Sequence, residues 1–372
     1  MSRTVIVTGA AGYIGSHLCE ALLRRGDRVI GLDAFTAHYD PKRKHANLDA
    51  IRATAETLGA AERLQFVEGD ARDAATLDSL FALSPEPVSR VVHLAARAGV
   101  RGAISEAQDY VQSNVVTTTE VLEACRRHGL GHVSGADGRS GGDGAARPES
   151  RADAGKRGHL VMASSSTVYG SGPPGWDGPF SEDLAADQPL SVYGATKRGC
   201  ELLAHAYSRL ASMRVTCLRF FGVVGPRART DLSPYSFTDA VWHGRPITKF
   251  GDGTTARDYT YVGDIVTGII QALDRFERAD AGLVAPGGDF ECINLGNDSP
   301  VTLNRYLEIL EQLVGKPVLI KQAPEHPMDA RRTWADLTKA RRLLGYEPET
   351  PFEEALRACV DWYRREKADA GA

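Results

Sequence analysis

The chain begins with short apolar runs separated by amphipathic stretches. "TVIVT" (4–8), "RVIGL" (28–32), "RLQFV" (63–67), "RVVHLA" (90–95), "HLVMAS" (159–164) and "RVTCLRF" (214–220) are rich in Val, Ile and Leu. Continuous apolar runs of this length predict strands buried on both faces, hence a parallel sheet. Stretches with helical spacing lie between them, such as "YIGSHLCEALLRRG" (13–26) and "NVVTTTEVLEACRRHG" (114–129). The alternation predicts an α/β fold, a Rossmann-like doubly wound parallel sheet. After about residue 221 the pattern loosens and Gly and Pro become frequent, as in "GPRARTDLSPYS" and "FGDGTTARDY". The expected division is a nucleotide-binding domain over 1–221 and a smaller substrate-binding lobe over 222–372, with about 258–276 returning to the first domain. Such a lobe would lie over the carboxyl edge of the sheet, where these folds bind ligands.

One segment has neither periodicity. "SGADGRSGGDGAARPESRADAGKRG" (134–158) is nearly free of large apolar residues. It cannot bury enough surface to offset its ordering entropy, which predicts a flexible surface insertion. A docking loop is the alternative.

Composition narrows the partners. A net charge of −4 gives no support to nucleic acid or an anionic membrane as main partner. The six cysteines, Cys19, Cys125, Cys200, Cys217, Cys292 and Cys359, are far apart and form no CxxC pair. That pattern fits reduced thiols better than a disulfide framework or a zinc site, and no metal is expected. No apolar run approaches the ~18 residues of a membrane span, and no secretory signal is legible at the start. A soluble, cytoplasmic protein is the expectation.

Two places carry candidate chemistry. In "TGAAGYIG" (8–15), Gly9, Gly12 and Gly15 follow a strand and open a helix. Such glycines permit a tight turn and close approach of a pyrophosphate to the helix N-terminus. Turns also favour glycine, so context matters. The second strand ends in Asp33, about 20 residues on, where a carboxylate would bond a ribose diol. No Arg follows at 34 or 35 to hold a 2′-phosphate. NAD is therefore the expected cofactor. Asp70 in "EGDARD" is placed to meet the adenine amine, and Ala95 and Ala96 in "HLAARAG" leave room for the cofactor. The candidate cofactor set is Gly9, Gly12, Tyr13, Ile14, Gly15, Asp33, Asp70, Ala71, Leu94, Ala95, Ala96, Tyr193, Lys197 and Phe220. Polar loops at strand ends are the plainer reading of the segments after the third and fourth strands.

The second place joins "VMASSSTVYG" (161–170) to "SVYGATKRGCELLAHAYSRL" (191–210). A strand running into Ser164, Ser165, Ser166 and Thr167 is ordinary in itself, because hydroxyl residues often end strands. Tyr193 and Lys197 are four apart and share one face of the predicted helix. A phenol is a weak base at neutral pH. A neighbouring ammonium and the positive nicotinamide ring favour its phenolate form.

With these residues together, the chain resembles the extended short-chain dehydrogenase/reductases, and among them the nucleotide-sugar epimerases. The matching segments are "TGAAGYIGSHL", "HLAARAGVR", "SNVV", "ASSSTVYG", "PFSED", "YGATK", "LRFFGVVGP", "FGDGTTARDYTYVGDIV" and "TWADLTKARRLLGYEP". Only 134–158 falls outside. The resemblance implies a catalytic set of Tyr193, Lys197 and Ser165, supported by a structural Asn114. Related dehydratases carry an Asp-Glu pair after that Ser, and decarboxylases a Glu just before "VY". Here Ser166 and Thr167 stand there, with no useful acidity. Oxidation at carbon 4 followed by return of the hydride, that is 4-epimerisation of a UDP-sugar, is the implied outcome.

"HLAARAGVRGAI", "VVGPRARTDL" and "RDYTYVGDIV" look most like UDP-glucuronate 4-epimerases. The implied substrate-binding residues are Ser165, Ser166, Thr167, Gly222, Phe250 at the uracil, Arg257 at the diphosphate and Asp329 at the ribose. A homodimer through helices near 105–128 and 193–211 is also implied. The chain departs from the uronate pattern at Gly222, where Thr is common. It departs again at Thr230, which replaces a proline, and at Gly263, which replaces an Asp. A UDP-glucose/galactose or N-acetylhexosamine 4-epimerase is the alternative enzyme. A non-catalytic NAD-sensing module is the alternative from another class.

Overall fold

A computed structural model describes residues 3–38, 40–100, 105–131, 158–325 and 331–370. The insertion expected at 134–158 and the substrate residue Asp329 lie, apart from Gly158, outside the described residues.

Seven strands form the central sheet: β1 (Thr4–Thr8), β2 (Arg28–Asp33), β3 (Leu64–Glu68), β4 (Arg90–His93), β5 (His159–Ser165), β6 (Arg214–Phe220) and β10 (Phe290–Leu295). Their order is β10-β6-β5-β4-β1-β2-β3, and every pairing is parallel. Val5, Ile6 and Val7 are buried to within 1% exposure, as a strand covered on both faces requires. Six of the seven strands coincide, within one or two residues, with the apolar runs. The seventh, "FECINL", comes from far down the chain.

Helix Tyr13–Arg25 lays Leu18, Cys19, Leu22 and Leu23 against the sheet, and ends at Gly26 in the left-handed conformation. Helix Val262–Leu273 packs beside it, with Ile265 and Ile269 in the same core. The strand order reverses between β1 and β4. That switch point opens a crevice at the carboxyl ends of the strands.

Two smaller sheets lie apart from the central one. In the first, β9 (Ala256–Tyr261) is paired in parallel by β7 (Gly222–Val224) and β13 (Arg332–Thr333), and antiparallel by β11 (Pro300–Thr302). In the second, β8 (Ile247–Phe250) pairs with β12 (Ile320–Ala323). Among the described residues no helix is long and apolar enough to cross a membrane.

Candidate active site

A cavity of about 360 Å³ occupies the crevice. One end is the glycine turn. Gly9 has φ +72°, and a Cβ there would lie 2.7 Å from the Ala95 backbone nitrogen. A Cβ on Gly15 would lie 2.1 Å from the Gly9 carbonyl oxygen. Both positions therefore require glycine. The turn leaves the helix N-terminus, with its first backbone N–H groups, facing the cavity. Every residue of the expected cofactor set, from Gly9 to Phe220, lines this cavity. The donor set and the glycine cradle fit a dinucleotide with its pyrophosphate on the helix terminus.

Each carboxylate in the lining is held by a cation. Lys44 donates to Asp33 at 3.0 Å, Arg72 to Asp70 at 2.6 Å and Arg229 to Asp231 at 2.7 Å. Asp33 also accepts from the Phe35 N–H at 2.9 Å. Its carboxylate is thus fixed in orientation at the end of β2. His38 stands on the same rim, and burial, with Arg97, Lys44 and Arg229 nearby, lowers its pKa. The sequence reading did not single out Lys44, Arg72, Arg229, Asp231 or His38.

The other chemical residues meet at the end of β5. Ser191 caps helix Val192–Leu210 by accepting from the Gly194 N–H at 3.0 Å. Tyr193 and Lys197 follow in its first turns and both line the cavity, though each is less than a tenth exposed. The Lys197 ammonium donates to the Ala163 carbonyl at 2.9 Å. The Tyr193 ring meets Tyr110 edge-on, with centroids 6.2 Å apart.

Ser165 also lines the cavity. Its Oγ accepts from the Thr167 hydroxyl at 2.9 Å and from the Thr167 N–H at 3.2 Å. With both lone pairs engaged, its own proton is the one left to donate. Ser166 and Thr167 form the short 3₁₀ turn that follows and do not belong to the lining. No residue from 163 to 170 is acidic.

Asn114 stays behind the cavity wall. It sits in a π-helical stretch, Val111–Val116, between helices Ala107–Tyr110 and Thr117–Arg127. The widened turn aims its carboxamide at three partners. It accepts from the Arg97 N–H at 2.8 Å, and donates to the Arg97 carbonyl at 3.0 Å and the Thr196 hydroxyl at 2.9 Å. Thr196 in turn donates to the Tyr193 carbonyl at 2.8 Å. Nearby His93 lies between Thr8 and Thr118, and burial with the Lys197 charge lowers its pKa to about 3.

Of the expected substrate residues, Ser165 and Gly222 face the cavity, whereas Phe250 and Arg257 are placed on β8 and β9 beyond its lining. Gly222 is crowded. A Cβ there would lie 2.8 Å from the Asp258 carbonyl oxygen and 3.1 Å from the Tyr259 ring.

Comparison with known proteins agrees with this arrangement. Residues 6–359 match the family model described as GDP-mannose 4,6 dehydratase. A UDP-glucuronate 4-epimerase of Thermodesulfobacterium geofontis is 36% identical over 96% of this chain and 95% of its own. UDP-glucuronate 4-epimerase 3 of Arabidopsis thaliana is 38% identical, over 97% and 76%. The Bacillus cereus UDP-glucuronic acid 4-epimerase, solved with UDP-glucuronic acid and NAD, superposes with a TM-score of 0.76 at 30% identity, covering 98% of this chain and 99% of that one. Sequence, sheet order and cavity lining converge: this chain belongs to the GDP-mannose 4,6-dehydratase-like family of extended short-chain dehydrogenase/reductases, the family of its UDP-glucuronate 4-epimerase relatives.

Proposed function

We propose that this protein is an NAD-dependent 4-epimerase that interconverts UDP-glucuronate and UDP-galacturonate. The observation that carries the reading is the cavity itself. It brings Tyr193, Lys197 and Ser165 to one end of a dinucleotide cradle, with no acidic residue among 163–170. The family model bears the name of a dehydratase. Elimination of water needs an acid beside the reacting carbon, and Ser166 and Thr167 supply none.

Tyr193 takes the proton of the 4-hydroxyl and later returns it. Lys197, anchored on Ala163, stands one helical turn from Tyr193 on the same cavity wall. Ser165 donates its free proton to the 4-oxygen and orients it. Bound NAD supplies the hydride acceptor and donor. The 4-keto sugar turns over between the two transfers, so hydride returns to the opposite face. Gly9, Gly12, Tyr13, Ile14 and Gly15 would hold the pyrophosphate, and Asp33 with Lys44 the adenosine ribose. Asp70, Ala71, Leu94, Ala95, Ala96 and Phe220 would line the remainder.

The 4-keto uronate is a β-keto acid and loses carbon dioxide when its carboxylate bond stands perpendicular to the carbonyl. Ser166 and Thr167, expected from the sequence to hold it in another orientation, lie outside the lining, so we assign Thr167 an indirect part, through the two hydrogen bonds it gives Ser165. Arg257, Phe250 and Asp329 would serve the UDP end. In this division residues 1–221 hold the cofactor with help from about 258–276 and from β10, which the central sheet includes, and the remainder of 222–372 closes over the sugar nucleotide. Gly222 favours a second reading, a neutral UDP-hexose as substrate, because a hydroxyl common at that position is missing.

The same reading places the enzyme in the cytoplasm as a homodimer. The free thiols support the former. Val111, Leu202 and Leu210 support the latter: they are 42%, 55% and 75% exposed, in the two segments expected to pair. Light scattering reads the oligomer. Incubation with a panel of UDP-sugars, with products separated, tests the function. UDP-galacturonate from UDP-glucuronate, without a UDP-pentose, is the expected result. Equal rates on UDP-glucose would move the assignment to the second reading.

A further inference from the structure

Glu201 is a buried acid that the reaction, as described, does not use. It lies one helical turn beyond Lys197, with no measurable exposure. Four bonds converge on it. The Ser164 hydroxyl donates at 2.6 Å, Arg219 Nε at 2.8 Å, Arg219 Nη2 at 2.9 Å and Arg198 Nη1 at 3.0 Å. Burial would raise its pKa, but these donors hold it below the usual carboxylate range.

The partners are neighbours of the reacting groups. Ser164 precedes Ser165 on β5, and Arg219 precedes Phe220 on β6. The two strands are in register there, Ser164 opposite Arg219 and Ser165 opposite Phe220. Arg219 is 3% exposed, and its guanidinium covers the Tyr169 ring at 4.7 Å. Lys197 grips Ala163, and Glu201 grips Ser164. Two successive residues of β5 are thus tied to two successive turns of the helix that carries Tyr193. A buried ion pair of this kind contributes little net stability compared with an apolar replacement, and its attested use is to fix one arrangement among several.

We propose that Glu201 is a positioning residue: through Ser164 and Arg219 it fixes the separation of Ser165 and Phe220 from Tyr193. The proposal rests on the catalytic roles given above to Ser165, Tyr193 and Lys197. Misplacement of reacting groups by a fraction of an ångström costs rate without costing affinity.

The test starts from Ser164→Ala in the holoenzyme, with whichever UDP-sugar the wild type turns over. Removing this hydroxyl leaves Glu201 paired with both arginines. The expected result is a kcat lowered about tenfold, with KM and bound NAD unchanged. Ser164→Thr, which keeps the hydroxyl, restores kcat to within about twofold. Ser164 also lines the cavity, so Glu201→Gln, behind the wall, is the companion variant, and the pair forms a double-mutant cycle. Strong non-additivity in kcat is expected. If Glu201→Gln does not fold, the comparison of Ala with Thr at 164 still decides.

A kcat for Ser164→Ala within twofold of wild type overturns the proposal. So does a raised KM with unchanged kcat, which would make Ser164 a direct substrate contact. Tyr193→Phe is run alongside. If that variant stays fully active, the catalytic reading itself fails. If it is inactive while Ser164→Ala is unimpaired, only the positioning role fails.

Discussion

The two ends of the cavity are made of different material. At the glycine turn the wall is main chain: Gly9 against Ala95, Gly15 against Gly9, and a helix terminus behind them. At the sugar end the wall is side chains and a short strand, with Phe220, Phe221, Val223 and Leu232 beside the Arg229–Asp231 pair. A backbone wall recognises what all dinucleotides share, and any added atom damages it. A side-chain wall is open to substitution, and on the proposed reading the choice of sugar is made there. Gly222 is the exception, a position at the sugar end where a Cβ would meet main chain, the Asp258 carbonyl oxygen, as well as the Tyr259 ring.

The sharpest test separates chemistry from binding. Tyr193→Phe should lower kcat by ~10² or more while Tm and bound NAD stay unchanged, the usual scale for a general acid–base. Activity near wild type would remove Tyr193 from its role. Lys197→Ala should also lower kcat, because the tie from the Tyr193 helix to the Ala163 carbonyl is lost together with a cation in the cavity wall. A kcat within twofold of wild type would leave Lys197 a structural part only.

At the sugar end, UDP-glucuronate should exceed UDP-glucose by at least ~10² in kcat/KM. Buried donors built for a carboxylate are left unpaired by a hydroxymethyl group. Thr167→Val should raise KM for the uronate and release some UDP-pentose; an unchanged product pattern would free Thr167 of its assignment.

Gly222→Thr tests the exception. From sequence, a Thr there is expected to be tolerated if the pocket faces a carboxylate. The 2.8 Å approach to the Asp258 carbonyl reverses that expectation. The strand must shift, and a loss of about 1–3 kcal/mol in unfolding free energy should follow, measured by denaturant titration. Unchanged stability would show that β7 yields freely.

The last test concerns Asp258 itself, whose carbonyl crowds Gly222 and whose side chain is 1% exposed. Burial raises its pKa to about 6, against three backbone N–H donors from Ala335, Asn297 and Asp298. Between about pH 4 and 6 the folded state then binds more protons here than the unfolded state. This group's contribution therefore falls as pH rises through that window, and is constant above it. Unfolding free energy should accordingly climb more steeply from pH 4 to 6 in Asp258→Asn than in wild type, by up to about 3 kcal/mol. Parallel curves would place the titration elsewhere.

What could be read from the chain follows the same divide. The glycine turn, Asp33, the hydroxyl row and Tyr193/Lys197 are local patterns, each a few residues long, and all but Ser166 and Thr167 face the cavity. Lys44 sits 11 residues after Asp33, on a helix whose facing is set only by packing against the sheet. Arg229 and Asp231 lie in a loop that no periodicity places. The π-helical slip at Asn114 changes the phase of a helix that reads as regular. Glu201 looks like any charge on an amphipathic helix until Arg219, from another strand, is brought to it.

The late seventh strand has a consequence for how the molecule is made. "FECINL" mixes Glu, Cys and Asn with its apolar residues, which hid it from the apolar-run pattern. Yet it covers the edge of β6, and the Phe221 N–H, in the cavity wall, bonds to the Leu295 carbonyl at 3.0 Å. A growing chain that has emerged only as far as residue 221 holds Gly9, Gly12, Gly15, Ser165, Tyr193 and Lys197, but exposes a raw strand edge. Such edges invite pairing with other chains. A fragment ending there should therefore self-associate rather than stand alone as a cofactor-binding unit, and the cavity wall is completed only once residue 295 has been made.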